Sequence, residues 1–500
     1  MKLADIIKEL NIISAYIPAP MRRRTILSLC HNSKYATPTC AFFCKTGSVA
    51  DGHTYAYSAY LNGARIFIAE RALQLPNDAA VLITPNSTEA LNKLAVKFYG
   101  DPSKELKIIG ITGTKGKTTV AISAYKVAVA CGINAGYIGT NGVYYSGKCF
   151  ETANTTPDAL ELQKTLREMR DDGVTTVFLE VSSQALWQDR THGLEFDSCV
   201  FTNLYRDHIG GHEHPDIEHY KNSKKKLFTD YNTKYIIINS DSDSSQYMID
   251  GSECKNIITT SAKGNESCDL YSKDAQKNKN GIIPGVSFKL HCGKKSPIDV
   301  FIPTPGLYSV ENALLIIAIC SKLGITPLMI AKHLSTLAVP GRFEAITLAT
   351  KPNSLFIIDY AHNGASLKAV INALREYEPK RIICLFGSVG GRTFERRAEL
   401  GEVAKDNADV LIITSDNPNN EDPMCVISDI RNAVGETEKQ VYCIPDRAEA
   451  VKKAYEIAED GDYVLLAGKG HETYQLVLGK RIPFSEKEIL IHEDLLFTKI

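Results

Sequence analysis

Two spacings of apolar residues run along this chain. Short apolar runs at 108–111, 177–182, 199–204 and 235–239 predict strands, each a few residues long. Between them, residues 117–131 and 158–170 repeat their apolar positions every three or four places, which predicts amphipathic helices. Strands alternating with helices predict a mostly parallel sheet covered on both faces. At the start, Leu3, Ile6, Ile7 and Leu10 share one helical face broken by charges, a surface helix rather than a signal peptide.

Residues 240–280 are polar and rich in turns, and Val286, Phe288, Leu290 and Cys292 then alternate as in a strand, so this stretch reads as a peripheral antiparallel insertion. A helix is expected over 310–323. The last third is the most regular. Apolar runs at 355–358, 381–386, 410–414 and 463–467 each precede a helical pattern, and they end at Asp359, Gly387-Ser388, Asp416-Asn417 and Gly468-Lys469. Ligands of open α/β sheets bind beyond the carboxyl ends of strands, so these ends are expected to line one cleft.

The 500 residues predict roughly three domains at about 150 residues each. Punctuation at the polar stretch 100–107 and at Val339-Pro340-Gly341-Arg342 sets the boundaries. The expectation is an α/β protein with a small N-terminal α/β domain (1–104), a central P-loop mononucleotide-binding parallel sheet (105–338) and a C-terminal Rossmann-like α/β domain (339–500).

Charge narrows the partners. Fifty-seven basic residues meet 58 acidic ones, so no global field draws nucleic acid or an anionic membrane. No apolar run approaches the roughly 18 residues that span a bilayer. Thirteen scattered cysteines read as reduced cytoplasmic thiols, and Cys40 with Cys44 is the nearest approach to a zinc pair.

Residues 110–119 read GITGTKGKTT, directly after a predicted strand and before a predicted helix. Glycines permit the tight turn, successive N–H groups can face a phosphate, and the helix N-terminus adds partial positive charge. Lys117 would reach the β and γ phosphates and Thr118 would coordinate Mg²⁺. The strict pattern places glycine where this chain has Ile111; here the glycines fall at Gly110, Gly113 and Gly116. Glu180, near the end of an apolar strand, reads either as a metal ligand or as half of a buried ion pair. His208 reads either as a ligand or as a histidine satisfied by its own loop. At helical spacing Tyr220, Lys224, Leu227 and Phe228 share one side, which aims Lys224 inward.

Together with NTTPD (154–158), EVSSQAL (180–186), FTNL..DH (201–208), Y...K..LF (220–228), PGRFE (340–344), DYAHN (359–363), DNPNNEDP (416–423) and AGKGHETYQ (467–475), the chain resembles the Mur ligases, most of all those adding the third residue of the peptidoglycan stem. The resemblance implies ATP held by Gly113, Thr114, Lys115, Gly116, Lys117, Thr118 and Thr119, with Asn312, Arg342 and Asp359. It implies Mg²⁺ at Thr118, Glu180 and His208, and at a carbamate formed on Lys224. It implies the UDP-muramoyl-dipeptide at Ser33, Thr155, Thr156, Ser182, Gln188 and Arg190. For the incoming amino acid it implies Arg392, Asp416, Asn417, Pro418, Asn419, Gly468 and Glu472. Lys117, Lys224, His208 and Glu180 would then form the catalytic set of a monomeric cytoplasmic ligase acting on small molecules.

The chain departs from that pattern in places. The uridine loop reads Asn32-Ser33-Lys34 where Asp-Ser-Arg is usual, and Gly390-Gly391-Arg392-Thr393 stands for Gly-Asp-Arg-Asp. Members adding meso-diaminopimelate typically carry arginine where this chain has Asn419, and that fork grips the distal carboxylate. Its absence favours lysine as the added amino acid, with Glu421 or Asp422 meeting the ammonium. A turn role for Asn419, with Arg392 gripping instead, is the other reading. A folylpolyglutamate synthase and a non-catalytic nucleotide-binding paralogue are the competing functions.

Overall fold

The computed structural model describes residues 1–47, 50–207, 209–210, 213–278, 283–391 and 394–498. The chain divides into two compact units, Met1–Thr259 and Thr260–Ile500.

The first unit holds two sheets. The N-terminal one is five-stranded in the order Ser14–Tyr16, Ala80–Ile83, Ile66–Ala69, Cys40–Phe43, Ser28–Cys30, with only the Ser14–Tyr16 edge antiparallel. Its core includes Leu3 and Ile6 of the expected first helix, Leu3–Glu9. The polar stretch at 100–107 is not a free linker. Pro102–Glu105 form a 3₁₀ turn with Pro102 and Ser103 buried, leading directly into the next strand.

The second sheet of this unit runs Thr233–Asn239, Phe196–Phe201, Lys107–Thr112, Thr176–Glu180, Ala135–Gly139, and then an antiparallel meander through Gly142–Tyr145 and Lys148–Phe150. Its first five strands are parallel, as alternation with helices requires. Register sets Glu180 beside Ile111, and Phe201 beside Thr112. The ends of both flanking strands therefore lie against the Gly-rich turn. The expected strand 177–182 stops at Glu180 because Ser182 turns to cap the helix Ser183–Trp187, accepting the Ala185 N–H.

In the second unit, Gly285–Cys292 pairs antiparallel with both Leu270–Asn278 and Ile298–Ile302, burying Val286, Phe288 and Leu290 as their alternation predicts. The helix Leu307–Lys322 follows. A six-stranded sheet comes last, in the order Glu344–Ile346, Leu355–Asp359, Tyr463–Ala467, Ile382–Phe386, Val410–Thr414, Gln440–Ile444. All its pairings are parallel except that of the Glu344–Ile346 edge. The four expected strands are there, and the half-exposed Gln440–Ile444, whose apolar run 441–444 the sequence reading passed over, joins them.

All thirteen cysteines are free thiols. Among the described residues, no helix is long and apolar enough to cross a membrane.

Candidate active site

Backbone geometry explains the glycines of the turn between Lys107–Thr112 and the helix Lys117–Ala130. A Cβ at Gly113 would stand 1.9 Å from the Thr202 hydroxyl, and Gly116 takes φ +84° as the helix N-cap. The turn is pinned from the neighbouring strand end. Thr114 N–H donates to the Asn203 carbonyl at 2.9 Å, Lys115 N–H to Asn203 Oδ1 at 2.9 Å, and the Thr202 hydroxyl to the Lys115 carbonyl at 2.6 Å. Asn203 thus takes two of the N–H groups expected to face a phosphate. The helix's first turn, at Lys117, Thr118 and Thr119, precedes any intrahelical acceptor and carries the anion-attracting end of the dipole.

Two lysines converge on one carbonyl. Lys117 Nζ donates to Gly113 O at 2.8 Å and to Thr114 O at 3.1 Å, and Lys224 Nζ donates to Gly113 O at 2.9 Å. Lys224 is buried on the helix Ile217–Thr229, with Tyr220, Leu227 and Phe228, as the spacing requires. Its ammonium lies 4.5 Å from the Tyr220 ring centroid. Burial, with Lys117 adding repulsion, holds its amine well below the ordinary lysine value.

Glu180 is fully buried and is not an ion-pair partner of any described residue. One oxygen accepts from the Tyr137 hydroxyl and from Thr140 N–H at 3.0 Å. The other accepts from the hydroxyls of Thr118, at 2.9 Å, and Thr140, at 3.1 Å. Gly139 makes room, because a Cβ there would be 2.2 Å from Glu180 Oε1. A carboxylate and a threonine hydroxyl side by side at the mouth of a phosphate turn suit Mg²⁺, which seeks oxygen and keeps ligands from phosphate and water. Among the described residues no group of three or more His, Cys, Asp or Glu could enclose a metal. Cys40 and Cys44 belong to no such group. His208 lies outside the described residues.

Four of the six residues expected at the dipeptide connect to one another, and a fifth joins them through Thr140. The Thr156 hydroxyl donates to the Glu180 carbonyl at 2.8 Å and accepts the Ser182 N–H at 3.0 Å. Arg190 donates to the Thr156 carbonyl at 3.0 Å and to Gln188 Oε1 at 2.7 Å. Thr155 and Thr140 hydroxyls lie 3.0 Å apart. Ser33 takes no part in these bonds; it opens the 3₁₀ turn Ser33–Tyr35, where Asn62 Nδ2 donates to its carbonyl, and nearby His31 hydrogen-bonds Asp158 at 2.8 Å.

The remaining expected residues belong to the second unit. Asp359 accepts the Phe343 N–H at 2.7 Å, and the Arg342 guanidinium lies 4.6 Å from the Tyr360 ring centroid. Burial raises the Asp359 carboxyl, with Arg342 pulling the other way. Asn312 is buried on its helix and makes no hydrogen bond to either.

At the end of Val410–Thr414, Asn417 Nδ2 donates to Glu472 Oε2 at 2.9 Å, Asn417 Oδ1 accepts the Leu476 N–H, and Asn417 O accepts the Gly390 N–H. Asp416 is buried beside Gly468, where a Cβ would approach Asp416 Oδ2 to 2.8 Å. Pro418 is as tightly placed, since a Cβ at Gly390 would strike its carbonyl at 2.0 Å. Asn419 adopts φ +55° and its amide donates to the Gly390 carbonyl at 3.3 Å, the behaviour of a turn residue. Glu421 and Asp422 are not waiting for an ammonium. Arg397 grips Glu421 with two nitrogens at 2.8 and 2.6 Å, and Asp422 caps the helix Pro423–Val434. Arg392 lies outside the described residues.

Sequence reading missed Tyr137 and Thr140 as supports of the phosphate turn, because nothing local tied them to it. It also passed over Asn203 and Lys469, although both stand inside quoted motifs.

Comparison with known proteins adds independent findings. Residues 111–320 match the Mur ligase middle domain, and residues 341–470 match the Mur ligase, glutamate ligase domain. A UDP-N-acetylmuramoyl-L-alanyl-D-glutamate--2,6-diaminopimelate ligase of Clostridium botulinum is 37% identical over 454 residues, covering 90% of this chain and 91% of that protein. Its namesake in Geobacillus thermodenitrificans is 36% identical over 472 residues, covering 93% and 94%. A solved structure with the same enzyme name has a TM-score of 0.67 at 27% identity, covering 100% of this chain and 99% of the other.

Proposed function

The chain belongs to the Mur ligase family, and on that premise we propose that it is an ATP-dependent ligase adding 2,6-diaminopimelate to UDP-N-acetylmuramoyl-L-alanyl-D-glutamate. The observation that carries the reaction class is the meeting of Lys117 and Lys224 on the Gly113 carbonyl, with Thr118 hydrogen-bonded to Glu180. A triphosphate needs its charge met by cations and helix-end N–H groups, and this turn gathers both.

In the proposed reaction the terminal carboxylate of the dipeptide attacks the γ-phosphate of ATP, giving an acyl phosphate and ADP. The amine of the incoming amino acid then adds to the acyl carbon, and the tetrahedral intermediate expels phosphate. Lys117 steadies charge on the transferred phosphoryl group, and Thr156, Ser182, Gln188 and Arg190 orient the dipeptide. Thr118 and Glu180, with His208, would hold Mg²⁺, which neutralises phosphate charge when bound. Lys224, with its amine held low by burial, is suited to react with CO₂ and become an anionic carbamate ligand.

Diaminopimelate replaces the lysine expected from Asn419. Relatives that share over a third of their residues along nine-tenths of the chain are named for diaminopimelate. The φ +55° turn at Asn419 also accounts for asparagine there without reference to substrate. Free thiols throughout fit a reducing cytoplasm. We keep 1–104, 105–338 and 339–500 as the proposed functional partition, although the two compact units divide the middle segment at Thr259.

Purified protein supplied with ATP, the UDP-muramoyl-dipeptide and one of diaminopimelate, lysine or ornithine should release phosphate with diaminopimelate alone. Release with lysine instead would reverse the specificity. Glutamate incorporation into folate would substitute the folylpolyglutamate reading, and no turnover with any amine would end the ligase reading.

A further inference from the structure

Lys469 is a lysine with no access to solvent, placed where Tyr463–Ala467 ends. Its ammonium donates to Asn417 Oδ1 at 2.8 Å and to Glu472 Oε2 at 2.5 Å, and it stands 3.9 Å from Asp416 Oδ1. Asn417 Nδ2 donates to that same Glu472 oxygen, so the three side chains close a triangle. Both donors use Oε2, which leaves Glu472 Oε1 without a described partner. The Asp416 carboxylate, 2% exposed, accepts no hydrogen bond from any described residue. Beside it the missing side chain of Gly468 keeps Oδ2 clear. Arg447, the other buried cation here, spends its hydrogen bonds on Glu486 at 2.7 Å and on the carbonyls of Ser415 and Ala467, although its charge also acts on Asp416.

A buried carboxylate without a donor, as Asp416 is, is costly, and the Lys469 ammonium beside it offsets part of that cost while fixing the direction of Glu472. We propose that Lys469 is the positioning residue of the amino-acid site. It holds Glu472 and Asn417 in one geometry and balances one of the two carboxylates, so that Asp416 and Glu472 together present a single net negative charge to an incoming ammonium. The ligand class is an α-amino acid bound through an ammonium group. This inference rests on the ligase reading and adds to it a residue that does not itself touch substrate.

The test is steady-state kinetics of the whole enzyme, varying diaminopimelate, ATP and the UDP-muramoyl-dipeptide in turn, for Lys469→Met and Lys469→Arg. Lys469→Met should raise KM for the amino acid at least tenfold while moving the other two KM values less than twofold. Lys469→Arg, which keeps the charge, should recover most of that rise. A merely structural role would instead lower kcat and the thermal midpoint without singling out one substrate, and that outcome overturns the proposal. So does an unchanged amino-acid KM in Lys469→Met. Should Lys469→Met fail to fold, Lys469→Gln takes its place: a rise in the amino-acid KM alone supports the proposal, and a wild-type value refutes it. Wild-type enzyme that turns over no amino acid would remove the ligase reading, and this inference with it.

Discussion

The phosphate turn and the strand-end cluster around Asp416 hold buried charge by opposite means. Glu180 is met by neutral donors, the hydroxyls of Tyr137, Thr118 and Thr140 and one backbone N–H, and Lys117 and Lys224 rest on a carbonyl. In the second unit charge answers charge, Lys469 with Glu472 and Arg447 with Glu486. A charge held by neutral dipoles keeps its full value for a ligand, which suits a site that takes a polyanion and a cation together. Charges that pair largely cancel, leaving the small residual sign that one ammonium needs. The costs of damage differ too. A neutral donor is replaceable at the scale of one hydrogen bond, whereas a lost ionic partner strands a buried charge.

Substitutions can break or sharpen that contrast. The largest effect is expected at Lys224. Lys224→Ala should lower kcat by about 10³-fold or more, roughly 4 kcal/mol, and a short carboxylic acid should restore part of it; full activity without rescue would remove the carbamate. Arg447→Met comes next. It abandons Glu486 in a buried site and should cost about 3–5 kcal/mol in denaturant unfolding, where a loss below 1 kcal/mol would deny the paired design. In Gly139→Ala the new methyl meets Glu180 Oε1 and the Tyr137 hydroxyl, so about 1–3 kcal/mol should be lost, with weaker Mn²⁺ binding read by electron paramagnetic resonance. Tyr137→Phe takes away one of four donors and should cost only about 1 kcal/mol. A loss as large as that of Arg447→Met would erase the distinction between the two regions. Smallest of all, Asn419→Gly should change stability by less than about 0.5 kcal/mol and leave the amino-acid KM within twofold, because a left-handed turn accepts glycine.

Much of this was open to reading in the chain itself. The alternation of short apolar runs with helical patterns determined the parallel sheets, and GITGTKGKTT determined a phosphate turn, because a strand, a turn and a helix start are local and contiguous. Helical spacing alone sent Lys224 inward. Register decided what spacing could not. Glu180 faces the turn because Thr176–Glu180 pairs with Lys107–Thr112, and Asn203 takes two turn amides because Phe196–Phe201 flanks the other side. Asn419 was read for the charge it lacks, when its backbone angle governs it. Glu421 was offered to a ligand that Arg397, twenty-four residues away along the chain, had already displaced. Lys469 went unnoticed because a lysine in a glycine-rich motif looks solvated until the ends of two strands close around it. Periodicity and local turns are written in consecutive residues; the company a buried charge keeps is set by segments far apart in the chain, and only folding brings them together.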